Sequence, residues 1–126
     1  MNKSILLVDD SLPNLKLTRF LLTQEGFDVR TAENAEQALL ALETRVPYII
    51  LMDIQMPVLD GLEAIAHLRQ NPAFSTTPII ALTALAMPGD RERCLVAGAN
   101  EYLSKPVSLK TLVQTVQDLL QKRFRE

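Results

Sequence analysis

Apolar residues recur along the chain in two rhythms. Five short segments read as strands: Ile5–Val8, Phe27–Thr31, Tyr48–Met52, Pro78–Leu82 and Glu101–Leu103. The first and third, "ILLV" and "YIILM", are unbroken apolar runs, the pattern of strands covered on both faces. Between the segments apolar residues return every three or four positions, the spacing of a helix face. Leu17, Phe20 and Leu21 form one such stripe, and Ala35, Ala38, Leu39 and Leu42 a second. Leu62, Ile65 and Ala66 form a third, and Met87, Arg91, Cys94 and Leu95 a weaker fourth. The fifth is the longest: Leu109, Leu112, Val113, Val116, Leu119 and Leu120 hold one side of about four turns.

Helix boundaries agree with this reading. Asn34 with Gln37, and Asp60 with Glu63, have the three-residue spacing of a capping box. Ser108 precedes the last stripe as an N-cap, and Gly26 and Gly98 stand where helices should stop. The stretch "QNPAFSTTP", Gln70–Pro78, reads as an ordinary connection. Five strand–helix units in succession predict an α/β fold, a parallel sheet with helices on both faces. In such sheets sites form at the carboxyl ends of the strands.

That edge collects polar chemistry. The first strand runs into Asp9 and Asp10, the third into Asp53, the fourth into Thr83, the fifth into Ser104 and Lys105. Each residue also has a plain structural reading: the acids as turn or cap residues, Thr83 as a strand former, Lys105 as a solvated charge. Their convergence needs more. Carboxylates ~5 Å apart repel by about 3 kcal/mol per pair at an effective dielectric of 20. A hard divalent cation such as Mg²⁺ takes oxygen ligands and would cancel that repulsion. An ammonium and a hydroxyl beside it could hold an anion, and a carboxylate nucleophile in that setting suits phosphoryl transfer.

Composition narrows the field. The chain has 126 residues, 48% of them hydrophobic, which suits a single domain over 1–126 with a real core. Thirteen basic and fifteen acidic residues give a net charge of −2, with no electrostatic footprint for nucleic acid or an acidic membrane surface. Cys94 is the single cysteine, which excludes an intrachain disulfide and a cysteine metal cluster and reads as a small buried thiol. The N-terminal apolar run of four residues is too short for a signal peptide core or a membrane span, and a cytoplasmic location is expected. His67 reads as a solvated helix residue.

Four motifs together carry a family resemblance: "VDD" at Val8–Asp10, "MDIQMPVLDG" at Met52–Gly61, "ALTA" at Ala81–Ala84 and "YLSKP" at Tyr102–Pro106. In this order and spacing they resemble the receiver domain of two-component response regulators, of the chemotaxis-regulator type. The resemblance implies a doubly wound, flavodoxin-like fold of five strands in the order 2-1-3-4-5 with five helices. It implies that Asp53 accepts a phosphoryl group from a phosphohistidine on a histidine kinase or histidine phosphotransfer protein. It further implies Mg²⁺ held by Asp10 and Asp53, by Asp9 mainly through water, and by the Gln55 carbonyl. Lys105 would pair with the phosphoryl oxygens, Thr83 would donate to them after attachment, and Tyr102 would be the aromatic switch.

The surface of the fourth helix, fifth strand and fifth helix would then signal to a downstream protein or to a second copy of the chain. Such a chain is a switch that catalyses its own phosphorylation and slow dephosphorylation, not a turnover enzyme. Two alternatives stand beside it, the first left open by the sequence and the second a poorer fit. One is a receiver segment of a hybrid histidine kinase. The other is an aspartate-nucleophile phosphatase, which carries its nucleophile in a D-x-D motif on the first strand, where this chain has adjacent Asp9 and Asp10.

Overall fold

The computed structural model describes residues 4–54, 61–83, 89–104 and 108–125. Five strands, β1 (Ser4–Val8), β2 (Asp28–Ala32), β3 (Ile49–Asp53), β4 (Ile79–Thr83) and β5 (Glu101–Ser104), form one parallel sheet in the order β2-β1-β3-β4-β5. Five α-helices join them: α1 (Leu12–Gln24), α2 (Ala35–Thr44), α3 (Gly61–Arg69), α4 (Asp90–Ala97) and α5 (Leu109–Arg125). The five predicted strands are all present, with bounds shifted by one residue or less. The "QNPAFSTTP" connection holds a 3₁₀ turn, Pro72–Phe74, capped by Asn71 Oδ1 on the Ala73 amide, and it buries Phe74.

The sheet separates two cores, and strand alternation assigns residues to them. Leu6, Val8, Ile50, Met52, Ile79 and Ala81 meet α2, α3 and α4 on one face. Ile5, Leu7, Ile49, Leu51, Ile80 and Leu82 meet α1 and α5 on the other. β1, β3 and β4 are buried at every position, whereas β2 and β5 on the outside of the sheet are partly open. That is why the first and third segments are unbroken apolar runs.

The helix stripes hold for α2 and α5, where Ala38, Leu42, Leu112 and Val116 are buried, and in part for α3, where Ile65 is buried and Leu62 packs beside it but Ala64 and Leu68 are buried in place of Ala66. They do not hold for α1. Leu17 and Phe20 are each 58% exposed, and the helix instead buries Leu15 and Leu22. α1 carries leucines all round its circumference, so spacing alone does not select the buried side. Contact with Phe27 and Val29 selects it. In α4 the buried positions are Asp90 and Cys94, while Leu95 is exposed and Met87 lies outside the described residues.

Caps follow the chemistry of the sequence. The Asn34 side chain accepts from the Gln37 amide at 2.8 Å, and the Glu33 amide donates to Gln37 Oε1 at 2.8 Å. Ser108 Oγ accepts from the Thr111 amide at 3.1 Å. The Asp60–Glu63 box lies outside the described residues. Gly98 ends α4 with φ 123°, a conformation other residues rarely adopt.

Cys94 is fully buried, as expected from its stripe. Burial and the nearby Asp90 charge push its thiol above the ordinary 9.0, with Arg93 opposing. The unfolded chain would ionise this thiol near 9.0 while the folded chain keeps the proton. Stability should therefore fall as pH rises through that value, by at most about 1.4 kcal/mol per pH unit from this group. Urea unfolding of the parent chain and of Cys94→Ala between pH 8 and 9.5 tests this. The variant should show the flatter pH profile, and parallel profiles would exclude Cys94 as the source.

Candidate functional site

Strand register builds the site. Val8 pairs with Met52, so the next residues, Asp9 and Asp53, stand on one rung at the carboxyl edge of the two central strands. Asp53 pairs with Leu82, which sets Thr83 one step further along β4. Thr83 pairs with Ser104, the residue before Lys105. Adjacent strands lie about 4.8 Å apart, so this register alone brings the polar termini within reach of one another.

Asp9, Asp10 and Asp53 each offer a carboxylate oxygen within 4.8 Å of the other two. Asp9 is 5% exposed and Asp53 4%, while Asp10 is open to solvent. Two buried carboxylates and one wet one suit an ion that keeps some of its waters, as Mg²⁺ does. The donor set is all oxygen, which fits a hard cation and not a soft one.

Local bonds hold the first acid in place. The Ser11 amide donates to Asp9 Oδ1 at 2.9 Å, and Ser11 Oγ accepts from the Asn14 amide at 3.4 Å. Ser11 is the N-cap of α1, a role the acid pair itself does not fill. Asp9 is thus turned by the loop while Asp10 projects outward. The Asp9 amide also donates to the Ala32 carbonyl at 3.1 Å, extending the β1–β2 ladder to the acid, and the Ile54 amide donates to Leu82 at 3.0 Å beyond Asp53. The two buried acids therefore sit on backbone that is still hydrogen-bonded.

Thr83 is 1% exposed at the end of β4. Alternation gives it the same face as Ala81, toward α4. Tyr102 pairs with Ala81 across the β4–β5 ladder and packs, half-buried, against the core that contains Cys94. Thr83 and Tyr102 therefore share one side of the sheet. Partial burial, then the negative field of Asp90 and Cys94, raises the Tyr102 hydroxyl above its ordinary 10.0, so it is protonated at neutral pH. Gln55 and Lys105 lie outside the described residues, as do Pro106 and the 84–88 segment. His67 is exposed on α3, as its position suggests.

Sequence reasoning passed over Arg69. The last residue of α3 reads as a solvated helix-end cation, but its guanidinium makes four hydrogen bonds, two to the connection that follows and two to the turn before β5. Its only sequence signal is its place before a Pro-containing connection.

The sequence profile of the response regulator receiver domain matches residues 5–117. An uncharacterised 14.6 kDa protein of Leptolyngbya boryana is 44% identical over 90% of this chain and 86% of its own length. The polar-differentiation response regulator DivK of Brucella anthropi is 40% identical over 95% of this chain and 98% of its own. Among solved structures, the receiver domain of the sensor histidine kinase PA1611 from Pseudomonas aeruginosa PAO1 is 38% identical with a TM-score of 0.87, covering 96% of this chain and 99% of its own. That structure holds a magnesium ion coordinated in its active-site cleft. The profile spans most of the chain, and the strand order and acid-lined edge agree with it; this chain belongs to the response regulator receiver domain family.

Proposed function

We propose that the chain is a phosphoryl-accepting switch of a two-component or phosphorelay system, with Asp53 as the acceptor. The observation that carries the reading is the meeting of Asp9, Asp10 and Asp53 within 4.8 Å at the end of the central strands. Asp53 is the buried member on β3, backed by fully buried strands on both sides. A carboxylate is a weak nucleophile toward phosphorus, so the work of the site is positioning and charge neutralisation. A carboxylate oxygen of Asp53 forms the bond to phosphorus as the phosphorus–nitrogen bond of the donor phosphohistidine breaks, and the imidazole leaves and takes up a proton.

Asp10 and Asp53, with Asp9 through water and the Gln55 carbonyl, would hold Mg²⁺. When bound, the ion supplies positive charge against the crowded oxygens of acceptor and phosphoryl group. Lys105 would answer the phosphoryl charge from the β5 side. The new group adds about −2 charge and three acceptor oxygens. Thr83 is the hydroxyl nearest in register to receive them. A shift of Thr83 would open space on the α4 side of the sheet, where Tyr102 already packs. The face of α4, β5 and α5 would thus be biased by a covalent ligand, for a protein partner or for self-association. The donor would be a histidine kinase or phosphotransfer protein. Similarity to the receiver domain of a sensor kinase favours a second reading of the same chemistry, a receiver segment of a hybrid kinase.

The test is uptake from a small acyl phosphate with Mg²⁺, followed by intact mass. One phosphoryl group should be added, and a chelator should prevent it. No adduct from either a small donor or a phosphorylated histidine kinase would overturn the reading. Described residues contain no helix long and apolar enough to cross a membrane.

A further inference from the structure

Two helices border β2, one on each face of the sheet. α1 packs there through Leu15 and Leu22, and α2 on the opposite face through Ala38 and Leu42. Their outer surfaces carry opposite charge. α1 holds Lys16 and Arg19 and no acid, and α2 holds Glu36 and Glu43 and no cation. All four are exposed, and among the described residues none of their side chains makes an ion pair or a hydrogen bond. Lys16 and Arg19 face the β2 border, because with Thr31 and Gln37 they line one open cavity of about 310 Å³. Glu33 also lines it and is held by Gln37 Nε2, which donates to Glu33 Oε2 at 3.3 Å.

Apolar surface gathers on the same two helices. Of the seven exposed large apolar residues among the described ones, Leu12, Leu17, Phe20, Leu40 and Val46 belong to α1, α2 or the turn after α2. Leu40 is the most open of these five, at 63%. Single exposed apolar residues are ordinary, but apolar groups set among charges of one sign per helix form a surface with a defined complement. The complement of α1 is an acidic helix with an exposed apolar residue, and α2 is such a helix.

Symmetry decides how two copies can use these faces. A two-fold axis normal to the sheet at the β2 border sets α1 against α1 and α2 against α2, like charge against like. A two-fold axis along the border exchanges the faces of the sheet and sets α1 of each copy against α2 of the other. That contact is isologous and closes at two molecules. Heights agree as well. Val8 pairs with Ala32, and α1 and α2 start four and three residues after that rung. Both helices return antiparallel to the strands, and rotation about the border keeps their direction. At about 1.5 Å per residue, Leu40 then stands between Lys16 and Arg19, and Glu43 comes level with Arg19 and Phe20.

We propose that two copies of this chain associate across the β2 border, with α1 of each against α2 of the other. The sheet itself is not continued, since Arg30 and the Arg45–Asp28 pair furnish the border with ionic groups. Exposed ion pairs contribute little each, so the apolar residues carry the contact, the charges select its geometry, and the dimer is weak and salt-sensitive. The contact uses none of the three clustered aspartates, so it stands or falls apart from the phosphoryl reading.

Sedimentation velocity of the full chain, without metal or phosphoryl donor, measures the association. The parent should dimerise with a dissociation constant of about 10 to 300 µM, weakening about tenfold as salt rises from about 50 to about 500 mM. Lys16→Glu with Arg19→Glu should weaken self-association at least about tenfold, as should Glu36→Lys with Glu43→Lys. All four positions are exposed, so the fold should survive, and circular dichroism checks this. Leu40→Ser leaves every charge in place and should weaken the dimer about fivefold. Mixed in equal amounts, the two charge-reversed variants oppose unlike charges at both contacts and should associate within about threefold of the parent affinity. Val96→Asp on α4 should leave the dimer unchanged. A parent that stays monomeric up to about 1 mM, reversals without effect, or reversed variants that fail to associate on mixing would each overturn the proposal. Loss of the dimer in Val96→Asp would assign it to the α4 face and overturn it as well.

Discussion

Asp53→Asn should take up no phosphoryl group from a small acyl phosphate, a fall of at least about a hundredfold in labelling rate, or roughly 2.7 kcal/mol in the barrier. Asparagine has the same shape and number of heavy atoms. It fits the 4%-exposed position at the end of β3 without a cavity, so the fold should survive. What it loses is the anionic oxygen able to form the bond to phosphorus. Asp9→Asn and Asp10→Asn are the informative companions. Both leave the proposed nucleophile in place, so they should label slowly but measurably, and peptide mapping should find the group on Asp53. Intact mass over a time course, with circular dichroism to show folding, decides the matter. Undiminished labelling of Asp53→Asn would move the acceptor elsewhere and remove the basis for the site.

Asp10→Asn should act in two directions at once. The three carboxylates offer oxygens within 4.8 Å, a spacing worth about 3 kcal/mol of repulsion per fully formed pair at a dielectric of 20. Asp10 is exposed, so solvent screens much of its share, and removing the charge should stabilise the metal-free chain by about 1 kcal/mol, or about 4 °C in the melting midpoint. The same change removes a proposed direct ligand and should weaken Mg²⁺ binding by about thirtyfold, close to 2 kcal/mol. Mg²⁺ should then raise the melting midpoint of the parent chain and leave that of the variant almost unmoved. Thermal scans with metal and with chelator measure both effects. Destabilisation of the metal-free variant would mean that Asp10 serves the fold and not an ion.

Strand positions were legible in the sequence because β1, β3 and β4 are buried on both faces, an environment that their middles meet with unbroken apolar runs and that admits polar residues only at the ends, as at Ser4, Asp53 and Thr83. The acid edge was legible for a related reason. A polar residue directly after such a run can only stand at the strand end, and parallel register then fixes its neighbours. The buried side of α1 was not. Leu12, Leu15, Leu17, Phe20, Leu21 and Leu22 surround the helix, and the choice of Leu15 and Leu22 was made by β2 and Phe27. Arg69 was hidden for another reason. Its value lies in carbonyls of Phe74, Thr77 and Gly98, and backbone acceptors leave no trace in residue identity. Gln55 was read from the motif alone and Lys105 from its place after the fifth strand, and both fall outside the described residues.

The partly open strands β2 and β5 bound the sheet, and both carry polar or charged residues: Asp28, Arg30 and Thr31 on one, Glu101 and Ser104 on the other. Arg30 is spent on the Ala41 and Arg45 carbonyls, and Arg45 pairs with Asp28, so the β2 border is furnished with ionic groups rather than bare backbone. Extending the sheet from one molecule into the next would force these charges against a neighbour's strand. Fibre-like growth by strand addition is disfavoured at both borders, and any assembly of two copies is left to helix surfaces, whose contacts can be made and undone without reopening a sheet.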